Sequence, residues 1–509
     1  MSEARRRGRR ERASGPQPVP QPPWRLHERR FEPTRVVSDD ELESIHQASL
    51  VVLRDIGLDF LHPTALRLWK AAGARVDGER VRLDVDLIES LITSVPPEFT
   101  IHAPNPAHDV RVGGNHVVFG AVASAPNTAD RAGGRRTGTR EDFRRLLKLS
   151  QSLNAVQSHG GYAVEPVDLH ASIRHLEAFR DILTLSDKVV NAYSLGAQRN
   201  IDCLEMVRIS RGVTDDELDS QPSIHSVINV SSPLRLDTPM LEGIIQYSSR
   251  NQVIILTPFT LAGAMAPVTV AGAVVQQNAE ALAGIAFTQL VRPGSPVMYG
   301  GFTSNVDMQS GSPAFGTPEF MQSAMLGGQL ARRYNMPYRS SNVCAANAVD
   351  AQAGYESVFS LWGAIMGGAN FVFHGAGWME GGLQANPEKM MVDGDLIQSV
   401  AKFLQPLIVD DATMAVEAIA EVGPGGHHFG TQHTQDRFRD AFFQPLVSDW
   451  RNYETWEEAG SPTALDHAER LVQQHLDAYE APTVDDAVRA ELNEFVDRRV
   501  AEGGVETDF

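Results

Sequence analysis

The sequence predicts an α/β protein in which eight parallel strands close into a (β/α)8 TIM barrel, with an N-terminal α/β extension and C-terminal helices. From about residue 154, short apolar runs alternate with longer stretches of helical spacing, a rhythm that favours a parallel sheet covered by helices. Eight such alternations fit a closed barrel. The 509 residues, 42% of them apolar, suffice for one large core. A doubly wound open sheet is the alternative, but no G-x-G-x-x-G motif follows the first run.

The apolar runs are predicted as the barrel strands, and the stretches between them as helices. The runs are short and rich in β-branched and aromatic residues, as buried strands are. The predicted strands are 156–164, 188–193, 223–229, 253–259, 296–302, 337–342, 370–374 and 416–422. The predicted helices are 170–186, 237–250, 274–292, 317–334, 351–367 and 393–405.

Two further segments precede the barrel and one follows it. Residues 1–37 are predicted to be a disordered, basic and proline-rich tail, because little of their surface could be buried. Residues 38–150 are predicted as an N-terminal α/β segment that opens with a helix-capping pattern at Ser38. The barrel then occupies 151–430, and a charged C-terminal helical extension occupies 431–509.

The net charge of the chain is −19 and is unevenly distributed. Residues 1–35 carry ten Arg against four Glu, so this part contributes +6 and the remainder −25. An acidic body argues against a nucleic-acid partner and steers cationic substrates weakly. The two cysteines, Cys203 and Cys344, exclude a disulfide framework and a four-cysteine zinc site. This cysteine usage predicts a cytoplasmic protein.

One long uncharged stretch, 251–279, resembles a membrane span at first sight. A spanning helix needs about 20 continuous apolar residues, whereas Pro258, Gly263 and Pro267 interrupt this stretch. We therefore predict a buried strand, a glycine-rich loop and the start of a helix here, with no membrane partner.

The chemistry of such a barrel belongs on the loops that follow the C-terminal ends of its strands. This rule selects Tyr162, Phe259 and Phe302, and above all the run from His374 to Trp378, in which a buried strand ends in histidine and glycines follow. Histidine can transfer a proton or donate a hydrogen bond near neutral pH. Aromatic faces can enclose a quaternary ammonium ion. Each residue taken alone could equally be ordinary core packing.

Three histidines leave a metal-dependent enzyme open as an alternative. His427, His428 and His433 follow a glycine-rich turn, and three histidines can ligate zinc. Adjacent histidines in a strand point to opposite faces, however, and no H-E-x-x-H motif is present. We therefore expect no metal in this chain.

Several further motifs lie at 263–272, 277–284, 296–300, 313–319, 350–356, 377–383 and 423–426. Together they resemble the trimethylamine methyltransferase family, from about residue 38 to 490. The resemblance implies a TIM barrel that transfers a methyl group from a methylated amine to the Co(I) corrinoid (cobalamin) of a separate cognate protein, with no cofactor bound tightly by this chain. It also implies a cytoplasmic and homo-oligomeric enzyme.

The sequence departs from this family at one chemically important place. The trimethylamine enzymes of the family carry pyrrolysine in the loop before the Asp-Ala-Gln-Ala-Gly motif, whereas residues 340–349 here are all ordinary amino acids. Without an electrophile to capture a tertiary amine, a quaternary donor such as glycine betaine is favoured, because it already leaves as a neutral amine. The alternatives are a tertiary-amine methyltransferase, a metal-dependent hydrolase or lyase, and a non-catalytic binding protein.

The resemblance and the barrel rule together suggest roles for the candidate residues. We expect His374 to act in catalysis, for example by orienting a substrate carboxylate. We expect Tyr162, Phe259, Phe302 and Trp378 to bind the methylated amine.

Overall fold

The computed structural model describes residues 19–507, and its centre is a closed barrel of parallel strands. Seven strands pair side by side, and the segment around Ser158 completes the ring by bridging Gly120 on one side and Val189 on the other. The barrel prediction is therefore confirmed, and the open-sheet alternative is wrong. The seven strands are His116–Ala121, Val190–Asn191, Ile224–Val230, Val253–Pro258, Val297–Gly300, Tyr338–Ser341 and Phe371–Ala376.

One predicted strand was wrong, and the barrel takes another in its place. Residues Val416–Val422 form a helix with only Ala418 buried. Its Ala and Glu residues are strong helix formers. An apolar run of this length fits a strand and a helix equally well, so the pattern alone could not decide between them. The missing strand is His116–Ala121, which pairs in parallel with Phe371–Ala376. The first barrel strand thus lies within the segment predicted as the N-terminal extension.

Eight helices surround the barrel, one after each strand position. Side chains cap most of their first turns; Thr139, Asp237 and Thr317, for example, accept hydrogen bonds from backbone N–H groups. All six predicted helices are present within a few residues. The eight are Arg140–Ser152, Arg174–Leu185, Ala197–Arg211, Thr238–Ser249, Val270–Val291, Pro318–Arg333, Ala351–Gly367 and Pro387–Phe403.

The described part of the predicted tail is packed against the barrel. Residues 1–18 lie outside the described part of the chain. From there on, His27–Glu28 pairs antiparallel with the first barrel strand, and Val19 and Arg29 are buried. Composition alone could not show this, because the partner surface exists only once the barrel has closed.

The N-terminal α/β segment packs its helices on the barrel helix Val270–Val291 and its hairpin on the N-terminal end of the barrel. Its first helix, Asp39–Val51, begins with the predicted capping box and continues as the π-helical turn Val52–Ile56. A small sheet and the helices Pro63–Ala71 and Val85–Ile92 follow; the strands of this sheet are Leu58–Phe60, Arg75–Asp77, Arg80–Arg82 and Arg235–Leu236. The hairpin Glu98–Ile101/Val110–Gly113 then packs Ile101 and Val112 against the inward-facing barrel residues, which closes the N-terminal end.

Beyond Phe403 the chain forms short helices and two long ones. Ala464–Asp477 packs on the last barrel helix, and Asp486–Ala501 packs on Arg174–Leu185 and Ala197–Arg211. The short helices are Asp411–Met414, Val416–Val422, Gln432–Arg437 and Tyr453–Glu458. Within residues 19–507, no helix has the length and apolar character that crossing a membrane requires.

Two small sheets decorate the C-terminal end of the barrel. One joins Trp378–Met379 and Gln384–Ala385 to the strands Asn127–Asp130 and Gly134–Thr137. The other consists of Leu261–Ala262, Ser304–Val306 and Pro313–Ala314. Each sheet is built from chain segments that connect two of the barrel strands to their following helices. The two sheets therefore border the mouth of the barrel.

Candidate active site

A cavity of about 460 Å³ opens at the C-terminal mouth of the barrel. Side chains from the strands form its floor, and the loops that follow the strands form its walls. Its lining residues are Ala123, Ser124, Tyr193, Ser194, Leu195, Val227, Asn229, Val230, Met240, Thr257, Phe259, Phe302, Arg339, Phe373, His374, Trp378 and Gly382. This is the place where barrel enzymes bind substrate.

Four of the five predicted site residues meet at this cavity. The ring centroid of Phe302 lies 5.2 Å from that of Phe259, 5.9 Å from that of His374 and 6.1 Å from that of Trp378. His374 and Trp378 stack at 5.4 Å with an interplanar angle of 22°. Phe315 supports the cluster from outside the cavity, with its centroid 5.3 Å from that of Trp378. The result is a wall of aromatic rings.

Tyr162, the fifth predicted residue, does not line the cavity; Tyr193 does. The ring of Tyr162 packs behind that of Tyr193, with centroids 4.9 Å apart, and against Phe143 on its other side. The hydroxyl of Tyr193 donates to the carbonyl of Gly160 at 3.0 Å and accepts from Ser124 at 2.9 Å. The strand-end rule selected Tyr162, but the chain turns at Gly161, whose φ is 82°, and the ring of Tyr162 lies behind Tyr193 instead of at the mouth.

The imidazole of His374 is held in its neutral form. Burial, and then the positive charge of Arg339, lower its pKa well below the usual value of 6.5. Its Nδ1 atom is buried without a hydrogen-bond partner in the described part of the chain. The residue has a φ of 56° in a strand whose register shifts between Val372 and Ala376. This bulge turns the ring onto the cavity wall.

Sequence reasoning missed Arg339, a buried arginine at the floor of the cavity. Its side chain is 1% exposed, and its guanidinium lies over the ring of Phe302 at 5.4 Å and that of Phe373 at 5.2 Å. Among residues 19–507 no carboxylate pairs with it, and its Nε and Nη1 atoms are buried without hydrogen-bond partners. Burial lowers its pKa to about 9, so it is still charged at neutral pH. It is the one formally charged side chain among the described residues that line the cavity.

The loop 340–349, which precedes the Asp-Ala-Gln-Ala-Gly motif, lies directly behind this wall. The backbone N–H groups of Ala345 and Ala346 donate to one carboxylate oxygen of Glu356, at 2.8 and 3.0 Å. The carbonyl of Cys344 accepts from Gly381 N–H, which ties the loop to the hairpin that carries Trp378. Burial raises the pKa of the Cys344 thiol to about 12. This loop therefore supports the cavity and presents no reactive group.

The three candidate metal ligands are not brought together by the fold. His427 and His428 are exposed on the C-terminal segment, and the Nε2 atom of His433 lies 3.2 Å from the carbonyl of Ala412. Within the described residues, no group of three His, Cys, Asp or Glu side chains is arranged to hold a metal.

Fold and cavity together define the class of protein: a (β/α)8 barrel with an aromatic cavity at the C-terminal ends of its strands. The chain belongs to the trimethylamine methyltransferase family, whose sequence model, described as Trimethylamine methyltransferase (MTTB), matches residues 3–504. The resemblance inferred from the motifs is thereby confirmed, and with it the prediction of a methyltransferase.

Relatives of this family align along almost the whole chain. A glycine betaine methyltransferase of Desulfitobacterium hafniense (strain Y51) is 34% identical over 472 residues, covering 92% of this chain and 98% of the relative. A trimethylamine methyltransferase, MttB, of D. hafniense (strain DSM 10664 / DCB-2) is 28% identical and covers 92% and 94%. The crystal structure of the Methanosarcina barkeri monomethylamine methyltransferase (MtmB) covers 89% and 92%, with 12% identity and a TM-score of 0.48.

Proposed function

We propose that this chain transfers a methyl group from a quaternary amine of the glycine betaine type to the Co(I) corrinoid of a partner protein. The observation that carries the proposal is the aromatic wall formed by Phe259, Phe302 and Trp378 at the barrel mouth. Aromatic faces attract a quaternary ammonium group through the negative potential of their rings, by about 0.5–2 kcal/mol for each favourable contact. The similarity to a glycine betaine methyltransferase supports the same donor.

The loop behind the wall supports a quaternary donor over a tertiary one. Residues 343–346 have no electrophilic group, and the one thiol among them, that of Cys344, is buried with a raised pKa. A tertiary amine therefore finds nothing here that would convert it into a leaving group. A quaternary nitrogen needs no conversion, because it takes the electrons of the breaking C–N bond and departs as a neutral amine.

The side chains of the cavity need not move a proton in this reaction. In a transfer to Co(I), the electron pair of the new bond to the methyl carbon would come from the partner's cofactor, and the C–N bonding pair would remain on nitrogen. The chain itself has to hold the ammonium group, align one methyl with the mouth and exclude water. A neutral His374 suits this work, since it forms part of the wall without adding a charge that would repel the donor. We propose it as a residue that contacts and orients the donor.

The surroundings of the mouth suit a protein partner that brings its own cofactor. Loops after four different barrel strands expose single large apolar side chains around the cavity: Leu195, Val268, Met308 and Leu383. Exposed apolar residues around a pocket are typical of a protein interface. We propose that the corrinoid protein docks on this rim, which lets its cobalt reach a methyl group presented at the opening.

An assay of methyl transfer to free Co(I) cobalamin tests this function. The change in absorbance of the cobalamin reports its methylation. The chain is assayed with glycine betaine, choline, trimethylamine and dimethylamine. Glycine betaine should be demethylated and trimethylamine should not. The substitution Trp450→Ala, at an exposed residue outside the cavity, serves as the control and should behave as the wild type.

Two results would contradict the proposal. Selective turnover of trimethylamine would refute the argument from the leaving group. Binding of glycine betaine without methylation of cobalamin, either free or on any corrinoid protein encoded near this chain, would make the chain a binding protein.

A further inference from the structure

We propose that Arg339 is the receptor for a carboxylate on the methyl donor, and that it fixes the direction in which the donor enters the barrel. The carboxylate lies at the floor against Arg339, and the trimethylammonium group lies at the mouth against Phe259 and Trp378. The donor is therefore a zwitterion with both groups on one short chain. The inference rests on the proposed function only in taking this ligand to be the methyl donor.

The depth of each group in the cavity sets this direction. Arg339 lies inside a barrel strand, where it is aligned with Gly300 on one neighbouring strand and Phe371 on the other. Phe259 and Trp378 come after the ends of their strands, on the loops of the mouth. An anion that reaches Arg339 must therefore pass the aromatic residues, and a cation attached to it by a short chain remains among them.

The charge of Arg339 has no counterpart in the part of the molecule that the structure describes. It is desolvated, lacks an acidic partner and has two nitrogen atoms without hydrogen bonds. Buried charges in proteins are normally paired, so an isolated one at the floor of a ligand cavity indicates that the ligand supplies the partner. The two phenylalanine rings hold the guanidinium in place before the ligand arrives.

The same charge rejects donors that are simple cations. At about 6 Å from the guanidinium, and with an effective dielectric constant of about 20, a bare ammonium ion is disfavoured on the order of 100-fold. A zwitterion offsets this penalty, because its carboxylate lies between the two positive charges and is attracted by both. The aromatic wall thus binds the methylated nitrogen, and Arg339 makes binding selective for methylated compounds that also have a carboxylate.

Binding measurements on matched ligands test the inference separately from methyl transfer. Glycine betaine and glycine betaine amide have nearly the same size, and only the first has a carboxylate. Titration calorimetry should show the wild type preferring the acid. In Arg339→Met the affinity for the acid should fall on the order of 100-fold, while the affinity for the amide should stay the same or rise. Trp378→Ala should lower the affinity for the acid and for the amide to a similar degree.

The thermal midpoint without ligand distinguishes this role from a structural one. Replacing an unpaired buried charge by an apolar side chain of similar length should leave the midpoint unchanged or raise it. Should Arg339→Met fail to fold, Arg339→Lys provides the second comparison; it keeps the charge but not the guanidinium geometry, and should show a smaller preference for the acid.

An unchanged ratio of acid to amide affinity in the folded variants would overturn the inference, and so would a wild type that binds both ligands equally. If the preference depends on Arg339 but the wild type methylates no cobalamin, the inference stands and the proposed methyl transfer fails.

Discussion

Replacing Trp378 tests whether the aromatic wall binds the donor. The indole is 5% exposed, stacks on His374 at 5.4 Å and meets Phe315 at 5.3 Å. Trp378→Ala removes one cation–π contact, worth about 0.5–2 kcal/mol, so the dissociation constant for glycine betaine should rise about 2- to 30-fold. It also removes a large buried ring, which costs about 3–5 kcal/mol of folding free energy.

The two effects can be separated by a second substitution and two measurements. Trp378→Phe keeps an aromatic face and most of the packing, so it should lose less affinity and less stability than the alanine variant. Urea unfolding gives the stability, and calorimetric titration of the folded protein gives the affinity. Trp450→Ala, at a site 68% exposed, should change neither by more than about 0.5 kcal/mol. Unchanged affinity in folded Trp378→Ala would remove this residue from the donor site.

Three further results are expected. Glu356→Gln should lower the rate of methyl transfer more than it changes donor affinity. The reason is that it weakens the hydrogen bonds that hold the loop 343–349 behind the wall. Steady-state kinetics would show this as a fall in kcat with KM nearly constant. The transfer rate should show no titration of His374 between pH 6 and 8, since its lowered pKa leaves the ring neutral throughout, and a rate–pH profile with a step near 6.5 would contradict this. Deleting residues 1–37 should lower the thermal midpoint, because residues 19–37 pack against the barrel; an unchanged midpoint would show that this packing adds no stability.

Donor affinity has its own dependence on pH, which follows from Arg339. The residue must be protonated to hold a carboxylate, and burial lowers its pKa to about 9. The affinity for glycine betaine should therefore be constant at neutral pH and fall as the pH rises past about 9. Affinity for the amide should not fall in this range, and calorimetry at several pH values compares the two.

Much of the barrel could be predicted because its strands are buried on both faces. Runs such as Val253–Pro258 are almost continuously apolar, as strands of a parallel barrel are. The first barrel strand was assigned to the N-terminal segment because a two-stranded excursion separates it from its helix, so it does not show the alternating rhythm. The helix Val416–Val422 was mistaken for a strand because a run of that length has no distinguishing period.

The site was predictable only in part, because the rule used to find it examines strand ends. It selected Phe259, Phe302, His374 and Trp378, all of which line the cavity. His374 lies near the end of Phe371–Ala376, and the other three follow a strand. Arg339 lies in the middle of Tyr338–Ser341, where a charged residue is rare. That rarity was a usable signal. Which groups surround the arginine could not be deduced, however, since they come from other strands of the closed ring.

The positions proposed for the two charges also bear on the reaction itself. If the carboxylate lies on Arg339, the ammonium nitrogen of a short betaine lies roughly 6 Å from the guanidinium, where the repulsion amounts to about 3 kcal/mol at an effective dielectric constant of about 20. That repulsion disappears as the C–N bond breaks, because nitrogen becomes neutral while the carboxylate keeps its partner. The aromatic wall has the opposite effect, because it stabilises the positively charged nitrogen of the bound donor. The wall would thus recruit the donor, and Arg339 would favour the step in which nitrogen loses its charge.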